Sequence, residues 1–394
     1  MQQMTVSQRA DQWFELFSLH AADLYPGRYT REYVDQLAVL AEEILVRKAQ
    51  KRSLIVAHYY VYPELQEIAD HVGDSLGLSK TIESAAASRV DFNGVYFMGE
   101  TAKIISPKTR VYMQSDENEL GCSLVFGTDI AWLLNWKAKN PGGLIVTYIN
   151  SSAKVKAVSD YICTSRNATA VLLHAIKNNP GKPILLAPDQ FLGHVMKTQA
   201  KLKAHEAGIS AETIDQLVIV YNHKHEGHNA CCYVHEEIGV SDGINEALDE
   251  HPDAELLLHP ECGCMVDCLF KMERGEIPHG KAFIHSTQGM IAHALRSSAQ
   301  EFVVGTELGM IYQLRKQVPT KKFFPIDANA TCKYMKGNTL QGLLHSLTHD
   351  RREITLTASG IPHMRAGEAN SEGAVKLSDA KLAKIAIDRM LKIG

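Results

Sequence analysis

The chain has no apolar run near the ~18 residues that a membrane span requires, so no transmembrane segment is expected. Its first residues, Met1 to Asp23, hold no apolar stretch followed by a cleavage site. No signal peptide is therefore expected, and the cytoplasm is the expected compartment. Charge of either sign is not in excess: a net charge of -4 over 394 residues implies no general attraction to nucleic acid or to an anionic membrane. The patterns G-x-G-x-x-G, P-loop and G-x-S-x-G are all missing. Dinucleotide, nucleoside-triphosphate and serine-hydrolase readings thus lack support. The hydrophobic content of 45% and charged content of 22% suit a soluble globular protein, and the length allows two or three domains.

One plan recurs three times along the chain. An apolar run, Leu54-Ile55-Val56-Ala57, ends on His58 and Tyr60, and a helical pattern leads to Asp74-Ser75. The second copy runs Leu144-Ile145-Val146-Thr147, then Tyr148 and Asn150, then Ser165, with the same interval as from His58 to Ser75. The third runs Leu256-Leu257-Leu258, then His259 and Glu261, then Ser286-Thr287. Its interval is longer by roughly ten residues, which predicts an insertion loop over 271–281. A second strand is expected in each copy, ending on an acid: 94–98 before Glu100, then the runs before Asp189 and Glu307. A third strand then leads into a polar loop with a cysteine: Cys122, Cys231-Cys232 and Cys332. Strands alternating with helices predict parallel α/β sheets, whose strand ends are where such sheets place ligands. Residues 1–30 read as a loosely attached helical extension.

Eight cysteines in a cytoplasmic chain point to thiols or metal ligands rather than disulfides. Cys163 sits in a strand-like apolar context and reads as a small core residue. Cys122, Cys232 and Cys332 share one place in the three copies. Three thiolates are too few for a closed structural zinc site, but they fit a cubane iron–sulfur cluster with one iron left open. Cys262, Cys264 and Cys268 form a rival cluster beside His259, confined to one copy. Alternation along a strand puts His58 with Tyr60, Tyr148 with Asn150, and His259 with Glu261 on common faces. Ser75, Ser165 and Thr287 fall at expected helix N-termini, which bind phosphate and carboxylate through backbone amides.

These motifs resemble quinolinate synthase: AHYY at 57–60, GDSL at 73–76, MGETAKI at 98–104, GCSL at 121–124, YIN at 148–150, CTS at 163–165, CYVHEE at 232–237, HPE at 259–261, ST at 286–287 and C-x-x-M-x-x-N-x-L at 332–340. The resemblance covers about residues 50–345. It implies three similar α/β/α domains with parallel sheets, arranged with pseudo-threefold symmetry around a central site. The expected boundaries are 1–30 for the extension, 31–124 completed by 333–394 for the first domain, then 125–232 and 233–332. It also implies a [4Fe–4S] cluster on Cys122, Cys232 and Cys332, with C-x-x-H-E selecting Cys232 over Cys231. The substrate-binding positions fall on His58, Ser75, Tyr148, Ile149, Asn150, Ser165, His259, Pro260, Glu261 and Thr287.

The implied reaction joins iminoaspartate and dihydroxyacetone phosphate into quinolinate with loss of phosphate and two waters, a step of NAD biosynthesis. An L-aspartate oxidase would be the partner supplying iminoaspartate. The open iron would act as a Lewis acid, with Tyr60 and the His259–Glu261 pair as catalytic proton-transfer groups. Two alternatives stay open on the residues alone: a zinc-dependent hydrolase or lyase on Cys262, Cys264 and His259, and a non-catalytic small-molecule sensor.

Overall fold

The computed structural model describes residues 4–240, 243–263, 265–357 and 374–393. The first copy of the plan folds as β1 (Ser53–His58), β2 (His71–Gly73), β3 (Arg89–Asn93) and β4 (Arg110–Met113). The second forms β5 (Leu144–Tyr148), β6 (Tyr161–Cys163), β7 (Ile184–Ala187) and β8 (Val218–Val220). A short antiparallel hairpin follows, β9 (Lys224–His225) and β10 (His228–Asn229). The third copy forms β11 (Glu255–Leu258), β12 (Ala282–Ile284), β13 (Glu301–Gly305) and β14 (Lys322–Pro325).

The three sheets share one strand order: β2-β1-β3-β4, β6-β5-β7-β8 and β12-β11-β13-β14. Every pair in these runs is parallel. The first strand of each copy is flanked on both sides, and the chain reverses its direction of travel across the sheet beside it. That is the switch point at whose carboxyl end an open parallel sheet presents a crevice. The apolar runs that predicted these strands are buried nearly throughout, as strands covered on both faces must be.

One strand differs from expectation. Residues 94–98 are not a strand: the strand expected there is β3, just before them, and Tyr96–Ile105 is a helix. The segment Arg89–Asn93 reads as polar, yet all of it is buried. Arg89 Nε donates to Asp91 Oδ2 (2.8 Å) and Ser53 Oγ to the same oxygen (2.5 Å), so the charges enter the interior already paired. Glu100 therefore lies within a helix and is not the counterpart of Asp189 and Glu307.

The N-terminal segment is also firmer than expected. Helix Val6–His20 starts with a capping box between Thr5 and Gln8 and buries Ala10, Trp13 and Phe17 on one face. The Phe17 ring lies 6.2 Å from Tyr312, and Arg315 donates to Asp23 (2.6 Å) and to the His20 carbonyl (3.2 Å). Scattered aromatics at helical spacing are thus an anchoring stripe.

The expected 271–281 insertion begins inside a helix, Met265–Glu273. Beyond Cys332 the chain adds two strands that periodicity did not predict, β15 (Glu353–Thr357) and β16 (Ala374–Lys376). β15 joins β4 antiparallel and extends the first sheet. The last helix, Leu377–Ile393, packs on helix Ala153–Ala157 and β6 of the second copy, and Arg389 donates to the Asp160 carbonyl (2.8 Å). No described helix is long and apolar enough to cross a membrane.

Candidate active site

The ends of β1, β5 and β11 face one cavity of about 350 Å³. His58 and Tyr60 line it from the first copy, Tyr148, Ile149 and Asn150 from the second, and His259 and Glu261 from the third. Ser75, Ser165 and Thr287 line it from the start of the next segment in each copy. Ser75 opens helix Ser75–Ala85 behind the N-cap Asp74, whose Oδ1 accepts from Gly77 (2.6 Å). Thr287 opens helix Thr287–Arg296 behind Ser286, which accepts from Gly289 (3.3 Å). Ser165 stands slightly outside its helix, two residues before the cap Asn167. Pro260 departs from the group: it lines a neighbouring cleft, because the middle residue of His259-Pro260-Glu261 turns away from its flanks.

The same turn follows β1 and β11. The Tyr60 amide donates to His58 Nδ1 (3.2 Å), and the Glu261 amide donates to His259 Nδ1 (3.4 Å). Side chains then join the three copies. Ser75 Oγ donates to Asn150 Oδ1 (3.3 Å), and Asn150 Nδ2 donates to Glu261 Oε1 (3.3 Å) and to the Tyr148 hydroxyl (3.1 Å). The Tyr60 hydroxyl shares a bond with Thr306 Oγ1 (2.6 Å), which His235 Nε2 also reaches (3.0 Å). The His235 ring stacks on His259 at 4.9 Å between centroids. His235, His259 and Glu261 are all buried, with potential ligand atoms within 4.8 Å of one another.

Burial and neighbours set the charges. Burial alone would raise the Glu261 carboxyl, but the His259 imidazole, whose Nδ1 lies 3.2 Å from Oε2, and the Tyr148 hydroxyl pull it below its ordinary value. Glu261 is therefore an anion. Burial pushes the Tyr60 phenol well up, and the Glu261 charge adds to this, so Tyr60 keeps its proton. Burial holds His58 and His235 neutral, with pKa values pushed down to about 3.

Cys122, Cys232 and Cys332 also line the cavity. Each stands immediately before a helix: Ser123–Phe126, Tyr233–Val240 and Lys333–Lys336. Burial raises all three thiols, and the charges of neighbouring thiols raise Cys122, to about 12, and Cys232 further. Backbone N–H groups of the following helix oppose this at each sulfur: Leu124 and Val125, His235, and Met335 and Tyr334. Three half-buried thiols lining one cavity, two of them raised by the charge of neighbouring thiols and each aimed at by helix N–H donors, suit a shared cationic centre that would hold them as thiolates. Asp189 and Glu307 reinforce two of them. Asp189 is buried near the Cys232 amide and caps its own helix by accepting from the Leu192 amide (2.8 Å). Glu307 accepts from the Cys332 amide (3.3 Å) and pairs with Lys336 (2.8 Å).

The other cysteines lie apart. Cys163, Cys262 and Cys268 are buried in the core, and Cys231 Sγ donates to Glu236 (3.2 Å). None of these four lines the cavity, and Cys264 lies outside the described residues. Two residues were missed by the sequence reading. His235 was within reach, because C-x-x-H places it one helical turn from Cys232. Thr306 carried no signal beyond its place before Glu307.

The sequence model of the family Quinolinate synthetase A protein matches residues 42–392. The chain is 38% identical over 330 residues to a quinolinate synthase of Thermus thermophilus, covering 84% of this chain and 94% of that protein. It is 35% identical over 354 residues to one from a Mycobacterium species (90% and 92%). To one from Pyrobaculum aerophilum it is 34% identical over 356 residues (90% and 100%).

Proposed function

The chain belongs to the Quinolinate synthetase A protein family, and from that membership we propose that it is a quinolinate synthase acting in NAD biosynthesis. It condenses iminoaspartate with dihydroxyacetone phosphate, releasing phosphate and two waters and closing an aromatic ring. An L-aspartate oxidase would supply the unstable imine, and the cytoplasm would be the compartment. We read the chain as three domains, 31–124 completed by 333–394, 125–232 and 233–332, set pseudo-threefold about the cavity. The shared strand order supports this.

The observation that carries the reading is the Ser75–Asn150–Glu261 chain, which ties one residue from each copy over the same cavity as the three thiols. Cys122, Cys232 and Cys332 would hold a [4Fe–4S] cluster, which when bound supplies an iron with an open position as Lewis acid. The remaining work falls to the chain itself. Glu261, anionic and oriented by His259, is placed to take protons during enolisation. Tyr60, protonated and bonded to Thr306, is placed to give a proton to a departing hydroxyl. His58, Ser75, Tyr148 with Ile149 and Asn150, Ser165 and Thr287 would hold carboxylate and phosphate groups. Arg166 and Lys80 on the same wall favour an anion.

Anaerobic purification followed by iron, sulfide and zinc analysis, with quinolinate formation measured on the same sample, tests this. A brown iron–sulfide protein that forms quinolinate from the two substrates is expected. A colourless zinc protein, or a cluster protein without turnover, would overturn it.

A further inference from the structure

The segment between the second and third sheets is rich in histidine: His223, Lys224, His225, Glu226, Gly227, His228. It turns through two residues of positive φ, Glu226 at 49° and Gly227 at 84°, as a tight two-residue hairpin requires. His225 and His228 are cross-strand partners. His223 lies two residues before His225, so the three imidazoles share one face. That face meets Asp129, whose Oδ2 lies 3.2 Å from His223 Nε2 and 3.7 Å from His225 Nδ1. The surroundings hold these groups in place. The Asp129 amide donates to the Tyr221 hydroxyl (3.0 Å), and Asp129 Oδ1 accepts from the Trp132 amide (3.0 Å). The His223 ring stacks on Trp132 at 5.6 Å and 15°. None of these residues lines the active-site cavity.

The geometry points to a divalent transition-metal site formed by Asp129, His223 and His225, outside the thiol cavity. Imidazoles with one carboxylate suit zinc, iron(II), nickel or copper better than magnesium or calcium, which prefer oxygen. An ion would enter between Asp129 Oδ2 and the two nitrogens that already face it, His223 Nε2 and His225 Nδ1, in place of the direct imidazole–carboxylate contacts. The Trp132 amide keeps the carboxylate oriented meanwhile, and the Tyr221 hydroxyl holds the Asp129 backbone, as outer partners do in metal sites. The site also has a place in the architecture. Asp129 lies seven residues after Cys122, and His225 seven before Cys232. An ion there would tie together two thiol-bearing segments. These already meet through Ser123 Oγ, which donates to the Cys231 carbonyl (2.8 Å) and accepts from the Tyr233 amide (3.1 Å).

Untagged, cluster-loaded protein dialysed anaerobically against zinc chloride tests the site. We expect saturable uptake of zinc at one ion per chain in the wild type, weakened at least about tenfold in a His223→Ala/His225→Ala double variant. A His345→Ala/His349→Ala variant, which removes another surface pair of histidines, should take up zinc as the wild type does. Hydrogen exchange on the wild type needs no variant: zinc should slow exchange over 222–230. Equal uptake by the wild type and the His223/His225 variant, or protection by zinc only elsewhere, overturns the site.

Discussion

The ends of β1 and β11 are the same structure carrying different chemistry. Both close on a histidine whose Nδ1 accepts the amide of the residue two positions on. At β1 that residue is Tyr60, whose phenol is held protonated; at β11 it is Glu261, whose carboxyl is held ionised. The repeated fold thus delivers a side chain to the cavity at an equivalent place, and residue identity with local partners decides whether that place holds a proton or lacks one. Burial and the Glu261 charge keep Tyr60 protonated against the bond to Thr306, whereas His259 and Tyr148 serve Glu261. Pairs of titratable groups driven apart in this way are how a single site can hold both acid and base at neutral pH.

The comparison can be broken most severely at the thiols, where the three copies agree rather than differ. Cys122→Ala, Cys232→Ala and Cys332→Ala should each abolish a stable cluster and quinolinate formation, read as iron and sulfide per chain. Cys231→Ala should retain both. Loss in Cys231→Ala with retention in Cys232→Ala would reverse the assignment between neighbours.

Next comes the acid–base contrast. Glu261→Gln and Tyr60→Phe preserve shape but remove the proton function, and each should lower turnover by about 10²–10⁴-fold with little change in KM. The cluster should persist in both. Near-normal turnover in both variants would move the proton chemistry to His259.

A smaller effect is expected from Ser165→Ala, which removes one hydrogen bond to an anionic group. Binding should weaken by roughly 1.5–3 kcal/mol, seen as a higher KM at nearly constant kcat. An unchanged KM would remove Ser165 from the binding set.

The smallest is a pH effect on stability. Burial depresses the His58 and His235 pKa values from 6.5 to about 3. Below the unfolded value the unfolded chain takes up protons that the folded chain refuses, so stability falls as pH drops from about 6.5 toward 3 and is unaffected above that window. The urea midpoint should fall less between pH about 7 and about 5 in His58→Gln and His235→Gln than in the wild type. An equal fall in all three proteins would locate the acid sensitivity in other groups.

Much of this site was legible from residue order alone. Apolar runs ending on His58, Tyr148 and His259 located the central strands, because strands buried on both faces usually read as near-continuous apolar runs. The recurring cysteines were legible for a related reason: a repeated unit puts equal positions in equal places. The same logic misled where local chemistry departed from the repeat. Arg89 and Asp91 masked a buried strand because their charges cancel only across space. The aromatics of Val6–His20 read as a loose extension because the surface that covers them, including Tyr312, lies far along the chain.

The sequence by itself determined the periodicity, the strand ends and the thiol set, since each is written in spacing and residue type. Only the tertiary structure decided that Ser75, Asn150 and Glu261 form one chain, that His235 stacks on His259, and that Pro260 faces another cleft. It also decided the protonation of Tyr60 and Glu261. Those features depend on distances between groups far apart in sequence and on how completely water is removed from around them. Neither quantity exists until the three sheets close on a common cavity.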